Sequence, residues 1–173
     1  MVEISVVVPV YNSEECLLEL NNKIEDALGD MPHETILVND QSKDNSWKKI
    51  VEIAQKNKNV SAVNLRKNIG QDNAIMAGLR QAKGRYVVII DDDLQHSPYD
   101  IKKMYNQCKD GEFDVCFANF SEKENALWKK FGSWFNGKIA QLLLSKPKEI
   151  YLSPFKIIKN EVINEVLKYD GPY

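Results

Sequence analysis

The sequence predicts an α/β fold, a doubly wound and mostly parallel sheet with helices on both faces. Two observations lead to this class. Short runs of β-branched apolar residues, such as "ISVVVPV" at 4–10, alternate along the chain with longer segments whose apolar residues recur at helical spacing. The runs are apolar at consecutive positions, as in strands buried on both faces of a parallel sheet. The length of 173 residues suits one domain.

The predicted elements alternate from the N-terminus to about residue 120. We predict strands at 4–10, 34–40, 60–65, 85–90 and 113–119, and helices at 14–28, from about 44, at 71–82 and from 97. Asn12 or Ser13 is the expected N-cap of the first helix. Ser97 is the expected N-cap of the last, with Pro98 at its first helical position. In such a sheet, ligands bind outside the carboxyl ends of the strands.

The composition excludes several classes of protein. Hydrophobic residues make up 43% and charged residues 28% of the chain, which is typical of a soluble globular domain. A formal net charge of −2 argues against nucleic acid as a partner. The three cysteines lack metal-binding spacing, so we expect them to be reduced and the protein to be cytoplasmic. The chain begins without a basic leader, so we expect no signal peptide. It ends at "KYDGPY" without a helix stop signal, so we expect a fragment that lacks C-terminal residues.

A cluster of carboxylates marks the predicted rim of the sheet. In "YVVIIDDDLQHSP", residues 86–98, a buried strand runs directly into Asp91, Asp92 and Asp93, and Asp40 ends the second strand. The carboxyl ends of these strands meet at one edge, where the negative charges repel one another. A divalent cation would relieve this repulsion and prefers such hard oxygen ligands. The stretch therefore predicts a metal site.

The direction of the side chains selects the metal ligands. Alternate residues of a strand point to opposite faces, so we expect Asp91 and Asp93 to face the metal and Asp92 to point away. Gln95, two residues further, is the third expected ligand. Asp91 and Asp93 are also the predicted catalytic residues. A solvated acidic loop before the helix cap at Ser97 is the alternative interpretation, because acidic residues are common in turns.

Four motifs resemble those of family 2 glycosyltransferases with the GT-A fold. They are "VVVPVYN", "ILVNDQSKDNS", "NIGQDNAIMAGLRQAKGRYVVIIDDDLQHSP" and "LSPFKIIKNEV". The sequence is most similar to the polyprenyl-phosphate branch, which includes dolichol-phosphate mannosyltransferases and bactoprenol glucosyltransferases. The resemblance implies that residues 1–173 are a single catalytic domain. It also implies inverting transfer of a sugar from a UDP- or GDP-sugar to a polyprenyl phosphate, with Mg²⁺ or Mn²⁺ as cofactor.

The same resemblance assigns roles to individual residues. Nucleotide binding is expected of the first two strand ends and of the middle aspartate, that is of Pro9, Tyr11, Asn12, Asp40 and Asp92. The D-x-D-x-Q pattern that holds the metal and the sugar-nucleotide diphosphate maps onto Asp91, Asp93 and Gln95. Lys156 of "SPFK" is expected to touch the acceptor phosphate. The chain departs from the family where "NDQS" replaces the commoner "DDGS".

The stretch "LRKNIG" after the third strand holds further candidates. Lys67, beside Arg66, would bring positive charge to the nucleotide diphosphate, and Gly70 would allow close approach of the backbone. A solvated basic pair is an equally good interpretation of the two cations. Of the two histidines, His96 is expected to be structural or near the metal, and His33 to lie on the surface.

The acceptor decides whether a general base is needed. A phosphate needs none, because its second pKa is about 6, whereas a sugar hydroxyl needs one. Glu122, Glu124 and Glu149 are candidate bases for a saccharide acceptor. A non-catalytic module that binds nucleotide-sugars is a further alternative. A nicotinamide-dependent dehydrogenase is disfavoured, because "PVYNSEE" stands where G-x-G-x-x-G is needed.

The segment 126–148 combines positive charge with aromatic residues. It contains five lysines and no acidic residue, together with Trp128, Phe131, Trp134 and Phe135. This composition is typical of a helix at the surface of an anionic membrane. We therefore expect the protein to be peripheral to, or tethered at, the cytoplasmic face of a membrane. A helix packed on the sheet, with its lysines exposed, is the alternative.

Overall fold

The structure is a computed structural model that describes residues 1–118 and 153–168. Its elements are β1 (Ile4–Val10), α1 (Leu17–Leu28), β2 (His33–Asn39), α2 (Ser46–Lys56), β3 (Val60–Asn64), α3 (Gln71–Leu79), β4 (Tyr86–Ile89), α4 (Asp100–Asp110), β5 (Val115–Phe117), β6 (Lys156–Lys159) and α5 (Asn160–Val166). The first five strands lie within two residues of their predicted bounds. The sequence interpretation did not include β6 and α5.

The strands form one sheet in the order β3-β2-β1-β4-β6-β5. β1 pairs in parallel with β2 and with β4, and β2 pairs in parallel with β3. β6 runs antiparallel between β4 and β5, with Lys156 opposite both Ile89 and Phe117. The predicted class is confirmed: the sheet is mostly parallel, and the antiparallel strand lies towards one edge.

The central strand β1 is buried along its whole length, as its apolar run requires. On one face of the sheet, Val7 belongs to an apolar cluster with residues of α3 and with Ile163 of α5. α3 lies directly on the strands, because a Cβ atom at Gly78 would come within 2.4 Å of the Val7 side chain. Val6 and Val8 point to the opposite face and are also fully buried, so both faces are covered.

Two of the helices begin later than their predicted caps. α1 begins at Leu17, and no side chain caps it. α4 begins at Asp100, whose backbone N–H donates to the carbonyl oxygen of Ser97 at 3.1 Å. The side chains of Asn12, Ser13 and Ser97 therefore cap neither helix, and these predictions are wrong. For Asn12 and Ser13 the physical reason is that their side chains bind neighbouring loops instead.

His33 is buried at the start of β2, with 8% of its surface exposed, which corrects the expectation of a surface position. Its Nδ1 lies 2.8 Å from the carbonyl oxygen of Met31, and its Nε2 lies 3.0 Å from Oε1 of Glu25. Burial opposes ionisation of Glu25, but hydrogen bonds from His33, Asn57 and Asn59 outweigh it and lower the pKa of this carboxyl. The histidine therefore ties α1 to the turn before β2.

The chain divides into two compact units, Met1–Phe117 with Pro154–Tyr173, and Ala118–Ser153. All the elements named above belong to the first unit. Within 1–118 and 153–168, no helix has the length and apolar character that crossing a bilayer requires. The lysine- and aromatic-rich segment 126–148 lies outside the described residues. So do the candidate bases Glu122, Glu124 and Glu149.

Candidate active site

A pocket of about 410 Å³ opens at the carboxyl ends of β1, β2 and β4, beside the N-terminus of α3. The lining includes seven residues that the sequence predicted for nucleotide or metal binding: Pro9, Tyr11, Asp40, Gly70, Asp91, Asp92 and Asp93. The place follows from the topology. The strand order changes direction between β1 and β4, so the loops that leave these strands diverge and open a crevice.

Asp40 is a buried carboxylate whose two oxygens both accept backbone hydrogen bonds. It is 3% exposed and follows β2. The N–H of Ile69 donates to Oδ1 and the N–H of Gly70 donates to Oδ2, both at 2.9 Å. Gly70 has a φ of 88°, a left-handed conformation that favours glycine, and it is the N-cap of α3. Asp40 therefore fixes the loop that forms one wall of the pocket.

Asp91 follows β4 and is only half-buried. Its Oδ1 accepts a hydrogen bond of 2.7 Å from the side-chain amide of Gln71. Burial, followed by the charge of the nearby Asp93, raises the pKa of Asp91, whereas the charge of His96 and the hydrogen bond from Gln71 oppose this rise. The surroundings of Asp91 therefore disfavour its ionised form.

Asp92 faces the loop after β1. Its Oδ2 accepts hydrogen bonds from the backbone N–H of Tyr11 at 3.1 Å and from the hydroxyl of Ser13 at 2.5 Å. Burial raises the pKa of Asp92, and these two donors oppose the rise. The side chain thus joins the end of β4 to the loop that the sequence predicted for the nucleotide.

The predicted alternation of the aspartates does not hold beyond the strand. β4 ends at Ile89, and all three aspartates line the pocket in the turn that follows. Leu94 has a φ of 59°, and the N–H of Gln95 donates to Oδ1 of Asp93 at 3.0 Å. Asp93 and Gln95 are both exposed, but only Asp93 lines the pocket. The argument from strand geometry applies only up to residue 89, so the choice of Asp91 and Asp93 as metal ligands stays a prediction.

The loops after β1 and β2 are joined by hydrogen bonds. The N–H of Asn12 donates to Oγ of Ser42 at 3.0 Å, and the N–H of Lys43 donates to Oδ1 of Asn12 at 2.7 Å. The N–H of Ser13 donates to Oγ of Ser46 at 2.9 Å. Asn12 has a φ of 56° and does not line the pocket. Its observed contacts shape the loop beside the predicted nucleotide site.

The remaining predicted residues lie apart from the pocket lining. Lys67 is exposed in the loop after β3, and Lys156 is partly exposed at the first position of β6. The ring of His96 stacks on Phe155, with centroids 5.6 Å apart. The sequence interpretation missed Gln71. Its place directly after Gly70, at the N-terminus of a helix that faces a strand-end site, is the signal that could have identified it.

The donor set fits a divalent cation that is shared with a diphosphate. Among the described residues, no group of three or more His, Cys, Asp or Glu side chains is arranged to hold a metal ion. A magnesium ion bound with a nucleotide usually takes one or two carboxylates together with phosphate oxygens and water. Asp91 and Asp93 line one pocket, and the charge of Asp93 contributes to the raised pKa of Asp91. A cation beside both would remove this repulsion.

The chain belongs to a family of glycosyltransferases. Residues 5–167 match the sequence family described as Glycosyl transferase family 2. This confirms the resemblance in the motifs.

Two curated relatives align with almost the whole chain. One is an uncharacterized glycosyltransferase of Synechocystis sp., 30% identical over 95% of this chain and 52% of its own length. The other is the undecaprenyl-phosphate 4-deoxy-4-formamido-L-arabinose transferase of Klebsiella pneumoniae, 29% identical over 95% of this chain and 51% of its own length. The chain therefore spans about half the length of these relatives.

Solved structures share the fold. The mannosyltransferase PcManGT from Pyrobaculum calidifontis, in complex with GDP-Man and Mn²⁺, has a TM-score of 0.70 over 95% of this chain and 46% of its own, at 19% identity. Glucosyl-3-phosphoglycerate synthase from Mycobacterium tuberculosis, in complex with Mn²⁺, UDP-glucose and phosphoglyceric acid, has a TM-score of 0.72 over 92% of this chain and 57% of its own, at 17% identity. The described elements are therefore those of a GT-A fold.

Proposed function

We propose that this chain carries the catalytic domain of an enzyme that transfers a sugar from a nucleotide-sugar to a polyprenyl phosphate. One observation carries the proposal. A single pocket has a hydrogen-bonded carboxylate, Asp40, at one end and two like-charged carboxylates, Asp91 and Asp93, at the other. A nucleotide-sugar has a base at one end and a diphosphate that binds metal near the other. The relative from Klebsiella pneumoniae, whose name specifies undecaprenyl phosphate, supports the choice of acceptor.

The nucleoside lies at the end of the pocket formed by β1 and β2. Pro9 and Tyr11 hold the ribose and the base, and Asn12 holds the loop that carries Tyr11 in place. Asp40 keeps lone pairs beyond its two backbone hydrogen bonds, and one of them accepts an N–H of the base. Such a hydrogen bond is present equally in the ground state and in the transition state, so it affects binding more than turnover.

The diphosphate lies against the aspartates. Asp91, Asp93 and Gln95 would hold Mg²⁺ or Mn²⁺ together with the diphosphate oxygens. When bound, the cation acts as a Lewis acid that neutralises the charge of the departing nucleoside diphosphate. Asp92 holds the two walls of the nucleotide site together, and Gly70 allows close approach of the backbone.

The acceptor phosphate attacks the anomeric carbon in line with the leaving group, which inverts the configuration. A phosphate is already ionised near neutral pH, so this chain needs no general base. Lys156 begins β6 beside β4, on the same edge of the sheet as the aspartates, and is the candidate for binding the acceptor phosphate. Lys67 is the candidate for the diphosphate. With a saccharide hydroxyl as acceptor, a glutamate from 122–149 would have to serve as base.

The segment 126–148 anchors the domain at the cytoplasmic face of an anionic membrane. Each lysine near such a surface contributes about 1 kcal/mol, attenuated by salt. Co-sedimentation with vesicles, with and without anionic lipid, compares the wild type with Lys129→Glu/Lys130→Glu. The wild type should sediment with anionic vesicles at low salt and the variant should not. Equal sedimentation of both proteins under all conditions would contradict the membrane role.

A binding and transfer experiment tests the whole proposal. Calorimetric titration with UDP and GDP, each with and without Mn²⁺, should reveal one preferred nucleotide whose affinity rises with the metal. Transfer of a radiolabelled sugar from the corresponding nucleotide-sugars is then measured with undecaprenyl phosphate in detergent, and with a soluble saccharide as control. Label in the lipid fraction supports the proposal. Label in the saccharide alone would favour the hydroxyl acceptor, and nucleotide binding without transfer would favour a non-catalytic module.

A further inference from the structure

Gln71 connects the two ends of the pocket. It is the first residue of α3, and its side-chain amide donates to Oδ1 of Asp91 at 2.7 Å. The two residues before it, Ile69 and Gly70, donate their N–H groups to Asp40 at 2.9 Å. Three consecutive residues therefore bind a carboxylate that follows β2 and another that follows β4. β1 lies between β2 and β4 in the sheet.

We propose that Gln71 is a positioning residue that orients Asp91 for the metal ion. The inference rests on the proposed function, because it assumes that Asp91 is a metal ligand. The amide is the right group for this task. It carries no charge, so it does not replace the cation, and its N–H holds one oxygen of the carboxylate in place. It engages Oδ1 alone and leaves Oδ2 of Asp91 available to a cation.

The support behind Gln71 is rigid. α3 rests on β1, where a Cβ atom at Gly78 would lie 2.4 Å from Val7, so the helix keeps a fixed distance from the sheet. Asp40 holds the residues just before Gln71. The amide is therefore presented from a fixed point to a carboxylate that like-charged neighbours would otherwise push out of position.

Gln71 itself contributes little to the core. Its side chain is exposed, whereas Ala74 and Met76 of the same helix are buried. Exchange of exposed residues usually changes stability by less than about 0.5 kcal/mol. Loss of the amide is thus expected to affect the site without unfolding the protein. Partners that orient metal ligands commonly change metal affinity by about 10- to 100-fold when they are mutated.

The test replaces the donor and keeps its length. Gln71→Met is compared with the wild type and with Gln81→Met, the same exchange at an exposed glutamine just past the other end of α3. Mn²⁺ binding is followed by electron paramagnetic resonance in the presence of UDP, and in parallel of GDP. Gln71→Met should bind Mn²⁺ about tenfold more weakly, and Gln81→Met should match the wild type. Thermal unfolding should be the same for all three proteins.

A second measurement needs neither metal nor nucleotide. In the ¹⁵N-labelled protein, the side-chain amide resonance of Gln71, identified by its loss in Gln71→Met, should shift in Asp91→Asn. The resonance of Gln81 should not move. An unmoved Gln71 resonance would overturn the inference, because the hydrogen bond would then be missing in solution.

The outcomes separate the inference from the proposed function. If the wild type binds no Mn²⁺ with either nucleotide, the metal role of the aspartates is wrong, and the inference is overturned with it. If the wild type binds Mn²⁺ and Gln71→Met binds it equally well, the inference alone is overturned. In the transfer assay, excess Mn²⁺ should restore most of the rate of Gln71→Met, which damage to the fold would not allow.

Discussion

Asp40 and Asp91 line the same pocket, but their surroundings differ. Asp40 is buried, and each of its oxygens accepts a backbone N–H at 2.9 Å. Asp91 accepts a hydrogen bond from the side-chain amide of Gln71, and its pKa is raised by burial and by the charge of Asp93. The comparison teaches that acidic residues at strand ends serve two purposes. Where the backbone supplies the donors, the carboxylate builds the loop, and where like charges surround it, the carboxylate is suited to a cation.

The largest expected effect is at the like-charged end. Asp93→Asn should lower transfer about a hundredfold or more, because loss of a single preorganised hydrogen-bond donor to a transition state already costs about 10²–10³ in rate and a weakened metal site removes more. The fold should stay intact, because the exchange removes repulsion from Asp91. Transfer is measured with saturating Mn²⁺, and unfolding is measured by circular dichroism. EDTA should abolish the activity of the wild type, and Mn²⁺ should restore it. Normal turnover of the variant in EDTA would contradict the metal role.

At the hydrogen-bonded end, Asp40→Ala should act on stability and affinity together. It leaves the N–H groups of Ile69 and Gly70 without their acceptor, at a cost of about 1–3 kcal/mol in the free energy of unfolding. The affinity for the nucleoside diphosphate should fall by the same factor as the affinity for the nucleotide-sugar, because both contain the base. Urea unfolding and calorimetric titration provide the two values. If affinity is unchanged while turnover falls, Asp40 takes part in the chemistry instead.

Asp92 combines the two situations, because it accepts hydrogen bonds and its pKa is nevertheless raised by burial. Ser13→Ala tests how much one of these hydrogen bonds contributes to stability and binding. The exchange removes the hydroxyl that donates to Asp92 at 2.5 Å and leaves the N–H of Tyr11 as donor. A hydrogen bond to a charged group contributes about 1.5–3 kcal/mol, so the loss of unfolding free energy should be at the lower end of this range, since water can enter. The KM for the nucleotide-sugar should rise with little change in kcat. Ser61→Ala, at an exposed position of β3, is the matched control.

How much of this site the sequence could predict depends on the range of the contacts. The strand ends and their aspartates follow from local patterns, because an apolar run followed by acids fixes where a buried strand stops. Gln71 was missed since its role depends on Asp91, 20 residues away, and a single amide makes no pattern. His33 was placed on the surface because its partners Met31 and Glu25 come together only in the folded chain.

The strand β6 escaped prediction for a related reason. β6 is the short run "KIIK", too brief to distinguish from a loop or from part of a helix. Its partner in β4 is some 70 residues earlier, and the pairing is antiparallel in a sheet whose other predicted strands are parallel. The N-cap predictions for α1 were wrong for another reason. Asn12 and Ser13 have the right chemistry for a cap, but neighbouring loops engage the same side chains.

The smallest effect comes from a carboxylate outside the pocket that is also held by donors. Hydrogen bonds from His33, Asn57 and Asn59 outweigh burial and lower the pKa of Glu25. A lowered pKa means that its contribution to stability is present above the unfolded pKa, about 4.3, and is lost as the pH falls through the lower folded value. Glu25→Gln should therefore cost less than about 1 kcal/mol near neutral pH, because solvent screens the partly exposed pair.

Thermal unfolding from pH 7 down to pH 3 measures this contribution. The difference in melting temperature between the wild type and Glu25→Gln should shrink as the pH falls. A difference that stays constant with pH would show that packing, and not charge, is lost.

The pairing of Phe117 with Lys156 has a consequence for how this fold can diversify. The two residues are neighbours across β5 and β6, so the segment that joins them begins and ends at adjacent positions of the sheet. The entropy of closing such an excursion grows slowly, by about 0.6 kcal/mol for each doubling of its length. Insertions or wholesale exchange of the intervening sequence would leave the register of β1, β2 and β4 unchanged. Sequence changes between these two residues can therefore accumulate while the strands that form the pocket keep their pairing.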